Sequence, residues 1–245
     1  MKALILAAGY ATRLYPLTKN WPKPLLLIKE KPIISHTLRR MVRLPELQEI
    51  IIITNEKFYR HFAGWAQQVR CVKPVRVLSD GTTSEHTRLG AIGDIDFAMR
   101  HGNADDDLLI VGGDNLFTFD LNAFVKFART RPDDCTVGLY DIKDPGLIHQ
   151  FGVATIDGER RITKFQEKPR QSSSTLISMC IYYMPRRALA RVKEYMASDH
   201  SSDAPGHYVS WLVSQSAVWG FPFSGEWYDI GDIITFYHAS VTFNG

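Results

Sequence analysis

The sequence predicts an α/β protein in which a mostly parallel, mixed central sheet lies between two layers of helices. Short apolar runs alternate with amphipathic segments through the first 145 residues, and a glycine loop directly follows the first run. From Phe151 onward the pattern changes to two strand-like segments joined by a glycine-containing turn. Continuous apolar strands between helices are typical of parallel sheets, whereas the later pattern indicates a hairpin. The prediction is therefore a Rossmann-like three-layer sandwich with an antiparallel excursion.

The first 145 residues supply the alternating strands and helices. Continuous apolar runs predict buried strands at residues 2–8, 50–54, 75–78, 108–111 and 136–140. Apolar residues at helical spacing predict helices at residues 32–42, 57–68, 89–100 and 121–131, the first of them opened by Pro32. Strands that alternate with helices in this way pair in parallel, so their carboxyl ends meet at one edge of the sheet.

The second part of the chain supplies the excursion and the closing elements. FGVATID and ITKFQEK flank a turn at Asp157 and Gly158, which is typical of a β-hairpin. Further elements are predicted as a strand at 176–183, helices at 185–196 and through Trp211, and strands within 217–231. No internal repeat or low-complexity linker interrupts the chain. We therefore predict one domain, residues 1–245, made of two halves at 1–145 and 146–245.

Composition and charge exclude several classes of protein. The formal net charge is +3 and the Lys and Arg residues are scattered, whereas a nucleic-acid-binding surface concentrates them. No apolar run approaches the roughly 20 residues that cross a bilayer. The three cysteines lack CxxC spacing, and their odd number fits a reducing compartment. We predict a cytoplasmic protein that binds neither nucleic acid nor membranes, and a homo-oligomer is compatible with the sequence.

The loop after the first strand, LAAGYATRLYPLTKNWPKPLL, carries candidate phosphate-binding residues. Gly9 lets the backbone approach an anion, Arg13 offers a charged fork that matches phosphate geometry, and Lys23 offers a compact charge. Open α/β sheets bind ligands beyond the carboxyl ends of their strands. This loop, which also contains Thr12, would lie there. The patterns GxGxxG and GxxxxGK[ST] are both absent. The residues therefore predict a phosphate-binding loop that is neither a dinucleotide-binding fingerprint nor a Walker loop.

An acidic residue, Asp114 in LLIVGGDNLF, follows the strand at 108–111. A carboxylate at this edge of the sheet can hold Mg²⁺, which proteins bind through one or two carboxylates plus substrate phosphates. A lone aspartate at a strand end is, however, more often a turn or cap residue. A metal site here needs a second carboxylate from elsewhere in the chain.

The first loop resembles the signature LAAGxGTRLxPLTxxxPKxL of the sugar-phosphate nucleotidyltransferases, which include glucose-1-phosphate thymidylyltransferases and uridylyltransferases. Further segments extend the resemblance over nearly the whole chain: LGAIGD, LLIVGGDN, FGVATI, KFQEKP and GEWYDIGD. The resemblance implies that the chain joins a nucleoside triphosphate to a sugar 1-phosphate, with Mg²⁺ as cofactor and pyrophosphate as the second product.

The resemblance also implies a role for individual residues. Catalytic roles fall to Arg13 and Lys23, and Mg²⁺ would be held by Asp114 and Asp229. The nucleotide would be bound by Ala8, Gly9, Thr12 and Gly90. The sugar phosphate would be bound by Asn115, Gly152, Glu167 and Lys168. Asp232, close to the second metal ligand, is interpreted as structural.

Four positions depart from the pattern of the resembled family. Ala11 stands where a second glycine is usual, and would be strained if the backbone there is left-handed. Pro24 stands where some thymidylyltransferases have a glutamine that helps to read the base. Met179 and Cys180 replace a threonine and a glycine that often lie beside the sugar. The base and the sugar therefore stay open.

Two other functions stay open as well. A cytidylyltransferase acting on a non-sugar phosphate, such as phosphocholine or a phosphonate, shares the first loop, although KFQEKP and WYDIG argue against it. A catalytically inactive relative could serve as a regulatory subunit, although such a protein tends to lose the charged residues that this chain retains.

Overall fold

The computed structural model describes residues 1–244, so Gly245, the last residue of the predicted domain, lies outside the described range. The strands are β1 Lys2–Leu6, β2 Leu27–Ile28, β3 Lys31–Pro32, β4 Glu49–Thr54, β5 Val75–Ser79, β6 Leu108–Gly112, β7 Asn115–Phe117, β8 Cys135–Asp141, β9 Gly152–Ile156, β10 Ile162–Glu167, β11 Leu176–Met184, β12 Val218–Phe223 and β13 Trp227–Asp229. The α-helices are α1 Ile33–Met41, α2 Glu56–Gln68, α3 Gly90–His101, α4 Asn122–Arg129, α5 Ala190–Met196, α6 Pro205–Gln215 and α7 Ile233–Thr242.

A nine-stranded mixed sheet forms the centre of the molecule. Its parallel part runs β5–β4–β1–β6, with Ile5 of β1 opposite Ile52 of β4 and Val111 of β6. Next to β6, strand β11 reverses direction and pairs antiparallel with β6, β8 and β9. Strand β12 then pairs parallel with β8. The predicted mixed α/β sheet is confirmed.

The sheet separates two apolar cores because alternate side chains of each strand point to opposite faces. On one face, Ile5 and Ile52 pack with helices α1, α2 and α4. On the other, Leu4 and Ile51 pack with helices α3, α5 and α6. The strands are apolar on both faces because both faces are covered. The three-layer arrangement predicted from the continuous apolar runs is confirmed.

The antiparallel excursion is the hairpin β9–β10, which joins the sheet where Val153 pairs with Ile177 of β11. Its turn is held by Asp157, whose Oδ1 accepts hydrogen bonds from the N–H groups of Glu159 and Arg161. The hairpin predicted from the sequence is therefore present. It places the end of β10 beside the carboxyl ends of the central strands, where Gly152 pairs with Glu167.

Helix α7 was not predicted, because its sequence IITFYHASVT follows a stretch that reads as strands. Its start is set by a capping box: Asp232 accepts a hydrogen bond from the Thr235 N–H, and Thr235 Oγ1 accepts one from the Asp232 N–H. Such a box satisfies two donors that the first helical turn leaves unpaired. Asp232 thus has the structural role that the sequence suggested. Within residues 1–244, no helix combines the length and apolar character that crossing a membrane requires.

Candidate active site

Two adjoining cavities lie at the carboxyl ends of the central strands, and Asp114 lines both of them. The first has a volume of about 330 Å³ and the second about 210 Å³. Among the residues singled out from the sequence, the first cavity brings together Ala8, Gly9, Thr12, Arg13, Lys23, Gly90 and Asp114. The second brings together Asp114, Asn115, Gly152, Glu167 and Asp229. Residues far apart in the chain therefore converge on one continuous site.

The loop after β1 presents free backbone donors to the first cavity. Within the described residues, the N–H groups of Gly9, Tyr10 and Ala11 donate no hydrogen bond. The loop is held from outside instead: Asn55 Nδ2 donates to the Ala8 carbonyl at 2.8 Å, and Thr18 Oγ1 donates to the Ala11 carbonyl at 2.7 Å. Fixed, unpaired N–H groups in a concave loop favour an anion.

Ala11 adopts the left-handed conformation, with φ at 50°. This backbone favours glycine, and a residue with a Cβ pays about 1 kcal/mol or more there. The strain expected for an alanine in a left-handed backbone is therefore present at Ala11. The first turn after it, Thr12–Leu14, carries Arg13, whose positive charge opposes the rise in the pKa of Asp229 that burial causes.

Lys23 joins the loop to the acidic side of the site. Its Nζ lies 2.5 Å from Asp114 Oδ2 and 2.9 Å from the carbonyl oxygen of Ile230. The lysine side chain is 14% exposed and the aspartate 31% exposed, so the pair is partly shielded from water. Lys23 thus contacts both the segment that follows β6 and the segment that follows β13.

Asp229 reaches Asp114 through the small antiparallel pair β7–β13, in which Asp229 lies opposite Asn115. Burial and the negative charge of Asp114 together raise the pKa of Asp229 to about 6, against the lowering effect of Lys23 and Arg13. The described residues contain no group of three His, Cys, Asp or Glu side chains arranged to hold a metal. Two converging carboxylates with substrate phosphates are nevertheless a donor set that suits Mg²⁺. These two residues could therefore hold a divalent cation.

The second cavity is built around Glu167 and Asn115. Glu167 has a side chain that is 12% exposed, and burial raises its pKa, with Lys168 and His207 opposing. Its carboxylate lies so close to Gly206 and Gly152 that a Cβ at either position would collide with it. Asn115 Oδ1 accepts a hydrogen bond from Trp227 Nε1 at 2.6 Å. The cavity therefore offers fixed polar groups and an aromatic wall.

Lys168 differs from the other predicted site residues, because it lines neither cavity. Its side chain is 58% exposed, and its Nζ lies 4.0 Å from Glu167 Oε1. The residue has a left-handed backbone with φ at 45°, and its N–H donates to the Phe151 carbonyl. Lys168 thus lies at the rim of the second cavity, within reach of a ligand that enters it.

Cys180 is a further left-handed residue, with φ at 54°, at the irregular part of β11 between Ser178 and Tyr182. A left-handed backbone favours glycine, so a residue with a side chain is strained at this position. Burial, with the negative charges of Asp114 and Asp229, raises the pKa of the Cys180 thiol to about 12. The thiol is therefore neutral, and its side chain occupies space in the second cavity.

Sequence reasoning missed several residues that line the cavities. They are Tyr10, Arg88, Asp94 and Asp203 in the first cavity, and Tyr182, Gly206 and Trp227 in the second. Arg88 and Asp203 form a two-pronged ion pair, with Nε–Oδ1 at 2.9 Å and Nη2–Oδ2 at 3.0 Å. This pair connects the segment before α3 with the segment before α6, which are 115 residues apart. The sequence signal that could have identified Arg88 as a cavity residue was its position two residues before Gly90.

Replacing Gly90 with alanine is expected to destabilise the protein by about 2 kcal/mol or more. Gly90 has φ at 78°, and a Cβ there would lie 2.5 Å from the carbonyl oxygen of Ser202 and 2.7 Å from Asp203 Cα. Urea denaturation of the variant measures the loss. Gly64→Ala is the matched control, because a Cβ at Gly64 meets nothing within 4 Å and alanine favours the helix. Equal stability of the Gly90 variant and the wild type would contradict the backbone contact.

Comparison with known proteins agrees with this fold. A family model described as nucleotidyl transferase matches residues 2–244. The bifunctional protein GlmU of Methanocaldococcus jannaschii is 28% identical over 232 residues, which cover 94% of this chain and 51% of that protein. A putative mannose-1-phosphate guanyltransferase of Sulfolobus acidocaldarius is 28% identical over 233 residues, which cover 94% of this chain and 60% of that protein. The chain spans about half to three fifths of the length of these relatives.

A solved structure gives the same fold. The crystal structure of a putative glucose-1-phosphate thymidylyltransferase from Bacillus anthracis, in complex with sucrose, superposes with a TM-score of 0.78. The alignment covers 100% of this chain and 97% of that one, at 23% sequence identity. The architecture is therefore shared although most side chains differ. Because the family model covers nearly its whole length, the chain belongs to the nucleotidyl transferase family.

Proposed function

We propose that the chain is a Mg²⁺-dependent nucleotidyltransferase that joins a nucleoside triphosphate to a sugar 1-phosphate and releases pyrophosphate. One observation carries the proposal: two adjoining cavities share Asp114, with Lys23 and Asp229 beside it. A transfer between two phosphorylated molecules needs two binding sites that meet where negative charge is neutralised. The names of the relatives support the same reaction class, since one is a putative mannose-1-phosphate guanyltransferase.

In this proposal the first cavity binds the nucleotide. The unpaired N–H groups of Gly9, Tyr10 and Ala11 hold phosphate oxygens, and Thr12 adds a hydroxyl. Arg13 stabilises the charge on the departing pyrophosphate, and Lys23 holds the triphosphate close to Asp114. Gly90 and Ala8 allow the nucleoside to lie against the backbone. The positive side chains and the N–H groups offset the mutual repulsion of the two anionic substrates.

The second cavity binds the sugar phosphate. Glu167 accepts hydrogen bonds from sugar hydroxyls, Asn115 presents its amide, and Gly152 lets the Glu167 carboxylate pack against the backbone of the cavity. Lys168 at the rim pairs with the phosphate. A buried carboxylate that lacks a cationic partner within 3.5 Å gains from hydroxyl donors, which favours a sugar over an acceptor without hydroxyl groups.

The chemistry is an in-line displacement at the α-phosphorus of the triphosphate. A phosphate oxygen of the sugar 1-phosphate forms the new bond, and the bond to the bridging oxygen breaks as pyrophosphate leaves with its electron pair. Mg²⁺, held by Asp114 and Asp229, would supply charge neutralisation for both reactants. Lys23 and Arg13 fix the triphosphate in line with the acceptor. No nucleophilic side chain is required, since positioning and electrostatic stabilisation carry most of this reaction.

A substrate matrix tests the proposal. Five nucleoside triphosphates are combined with several sugar 1-phosphates and with phosphocholine, in the presence of Mg²⁺, and released pyrophosphate is measured. We expect signal with at least one sugar 1-phosphate and its loss when EDTA removes the metal. Turnover confined to phosphocholine would replace the proposal by a cytidylyltransferase of non-sugar phosphates. Lack of turnover in every combination would favour a catalytically inactive relative.

Residues from both sides of the predicted division at residue 145 line each cavity. Asp203 from the second half lines the first cavity, while Asp114 and Asn115 from the first half line the second. We retain the two halves as a nucleotide-binding and a sugar-phosphate-binding part of one domain. A cytoplasmic location and a homo-oligomeric state are retained as predictions from the sequence.

A further inference from the structure

Asp94 is a buried carboxyl group in the first cavity with no role in the reaction described above. It lies on helix α3, is 6% exposed, and lines the cavity. Its Oδ1 is buried and has no hydrogen-bond partner among residues 1–244. A polar atom that is buried without a partner costs free energy, unless a ligand or a proton satisfies it. Asp94 therefore presents an unsatisfied acceptor inside a ligand-binding cavity.

A second buried carboxyl group, Asp80, faces Asp94 and keeps it in place. Asp80 is 7% exposed, and its Oδ1 accepts hydrogen bonds from the Thr82 N–H at 2.7 Å and from Thr82 Oγ1 at 2.8 Å. Burial and the negative charge of Asp80 together raise the pKa of Asp94 to about 8. Asp80 is thus held by its own turn and also hydrogen-bonds Asp94, and Oδ1 of Asp94 is the oxygen that remains free for a ligand.

Asp94 faces Asp80, and the strand before Asp80 lies well away from the strand before Asp114. Asp114 follows β6 and Asp80 follows β5, and the sheet order β6–β1–β4–β5 separates these strands by three spacings. At about 4.8 Å for each spacing, the separation is about 14 Å. A nucleotide whose phosphates lie at Arg13 and Lys23 therefore extends its base towards Gly90 and Asp94.

A carboxyl group at this end discriminates between bases because it always presents at least one acceptor oxygen. Adenine, cytosine and guanine each carry an exocyclic amino group on the edge that pairs with another base, and this group donates hydrogen bonds. Thymine and uracil carry two carbonyl oxygens there, with a single N–H between them. Carbonyl lone pairs opposite a buried carboxyl oxygen repel it and leave it unsatisfied.

We propose that Asp94, positioned by Asp80, accepts a hydrogen bond from the exocyclic amino group of the nucleobase. The nucleotide site therefore takes an amino-bearing triphosphate, ATP, CTP or GTP, in preference to UTP or dTTP. The inference rests on the proposed function, because it assigns the base end of the same nucleotide cavity. Asp94 is then a specificity residue that touches the substrate, while Asp80 is a positioning residue.

Equilibrium binding of the five triphosphates to the full-length chain, measured by calorimetry, tests the inference without requiring turnover. We expect at least one amino-bearing triphosphate to bind about 100-fold or more tightly than UTP and dTTP, as in other sites built around a substrate hydrogen bond. In Asp94→Asn the side-chain amide adds a donor for a carbonyl oxygen. The preference should then shrink at least tenfold, with UTP or dTTP binding more tightly than to the wild type.

Asp96→Asn is the matched control, since Asp96 lies on the same helix, is 8% exposed, and pairs with Arg100 at 2.7 Å rather than lining the cavity. This control should keep the wild-type preference. Tightest binding of UTP or dTTP by the wild type, or an unchanged preference in Asp94→Asn, would overturn the inference. Either result could accompany normal turnover, in which case the proposed function stands. Selective binding without turnover would instead support the inference and contradict the proposed function.

Discussion

Replacing Asp114 with asparagine is expected to lower the rate of pyrophosphate release by about 100-fold or more, the usual effect of losing one preorganised electrostatic contact. Asp114 lines both cavities and pairs with Lys23 at 2.5 Å. The amide removes the negative charge that a divalent cation needs and leaves Lys23 with a weaker partner. Steady-state pyrophosphate release at saturating concentrations of the best substrate pair measures the effect.

The matched control for this prediction is Asp133→Asn. Asp133 also pairs with a basic side chain, Arg187 at 2.9 Å, but both side chains are largely exposed and lie outside the two cavities. Exposed pairs contribute about 0 to 1 kcal/mol, so this variant should retain wild-type turnover. Turnover of Asp114→Asn within a few-fold of the wild type would remove Asp114 from the centre of the proposed reaction.

Replacing Asp94 with asparagine is expected to stabilise the protein at alkaline pH. An unfolded aspartate ionises near pH 4, whereas folded Asp94 keeps its proton until about pH 8. Between these values the folded state binds more protons than the unfolded state, so the free energy of unfolding of the wild type falls as pH rises. The fall is about 1.4 kcal/mol for each pH unit and ends above the folded pKa. Because asparagine does not titrate, the free energy of unfolding of the variant does not fall in this way.

Urea denaturation at several pH values checks this expectation. The advantage of Asp94→Asn over the wild type should grow by roughly 3 to 4 kcal/mol between pH 5 and pH 8, and then level off. Asp96→Asn provides the comparison, since its difference from the wild type should lack this increase. A constant difference between Asp94→Asn and the wild type across the same range would show that the folded protein leaves the pKa of Asp94 at its ordinary value.

Local sequence predicted the elements that depend on burial. The run Ile50–Ile53 is fully buried on both faces of β4, and its unbroken apolar pattern identified a covered strand in advance. Helix α7 escaped prediction because its apolar residues IITF resemble a strand, while its start depends on the capping box of Asp232 and Thr235. Strand β1 ends at Leu6 rather than Ala8, because the chain there leaves the sheet to form the glycine loop.

The candidate site was less accessible to such reasoning. Family resemblance pointed to Asp114 and Asp229, and the β7–β13 pairing brings these residues together. Asp94 lay inside a segment already noted for Gly90, yet periodicity could not distinguish a buried helix position from a position that lines a cavity. The charge that surrounds a residue is set by its neighbours in space, and here the neighbour of the acidic Asp94 is a second acidic residue, Asp80.

By itself, the sequence determined a mostly parallel α/β sheet with a glycine loop at its carboxyl edge, because apolar periodicity and turn-forming residues act through near neighbours in the chain. Tertiary structure alone decided that Asp80 faces Asp94 and that Lys23 contacts both Asp114 and Ile230. These contacts join strands and loops whose order in the sheet differs from their order in the chain. Electrostatic interactions depend on that spatial order, and the selectivity that we propose for the site depends on these interactions.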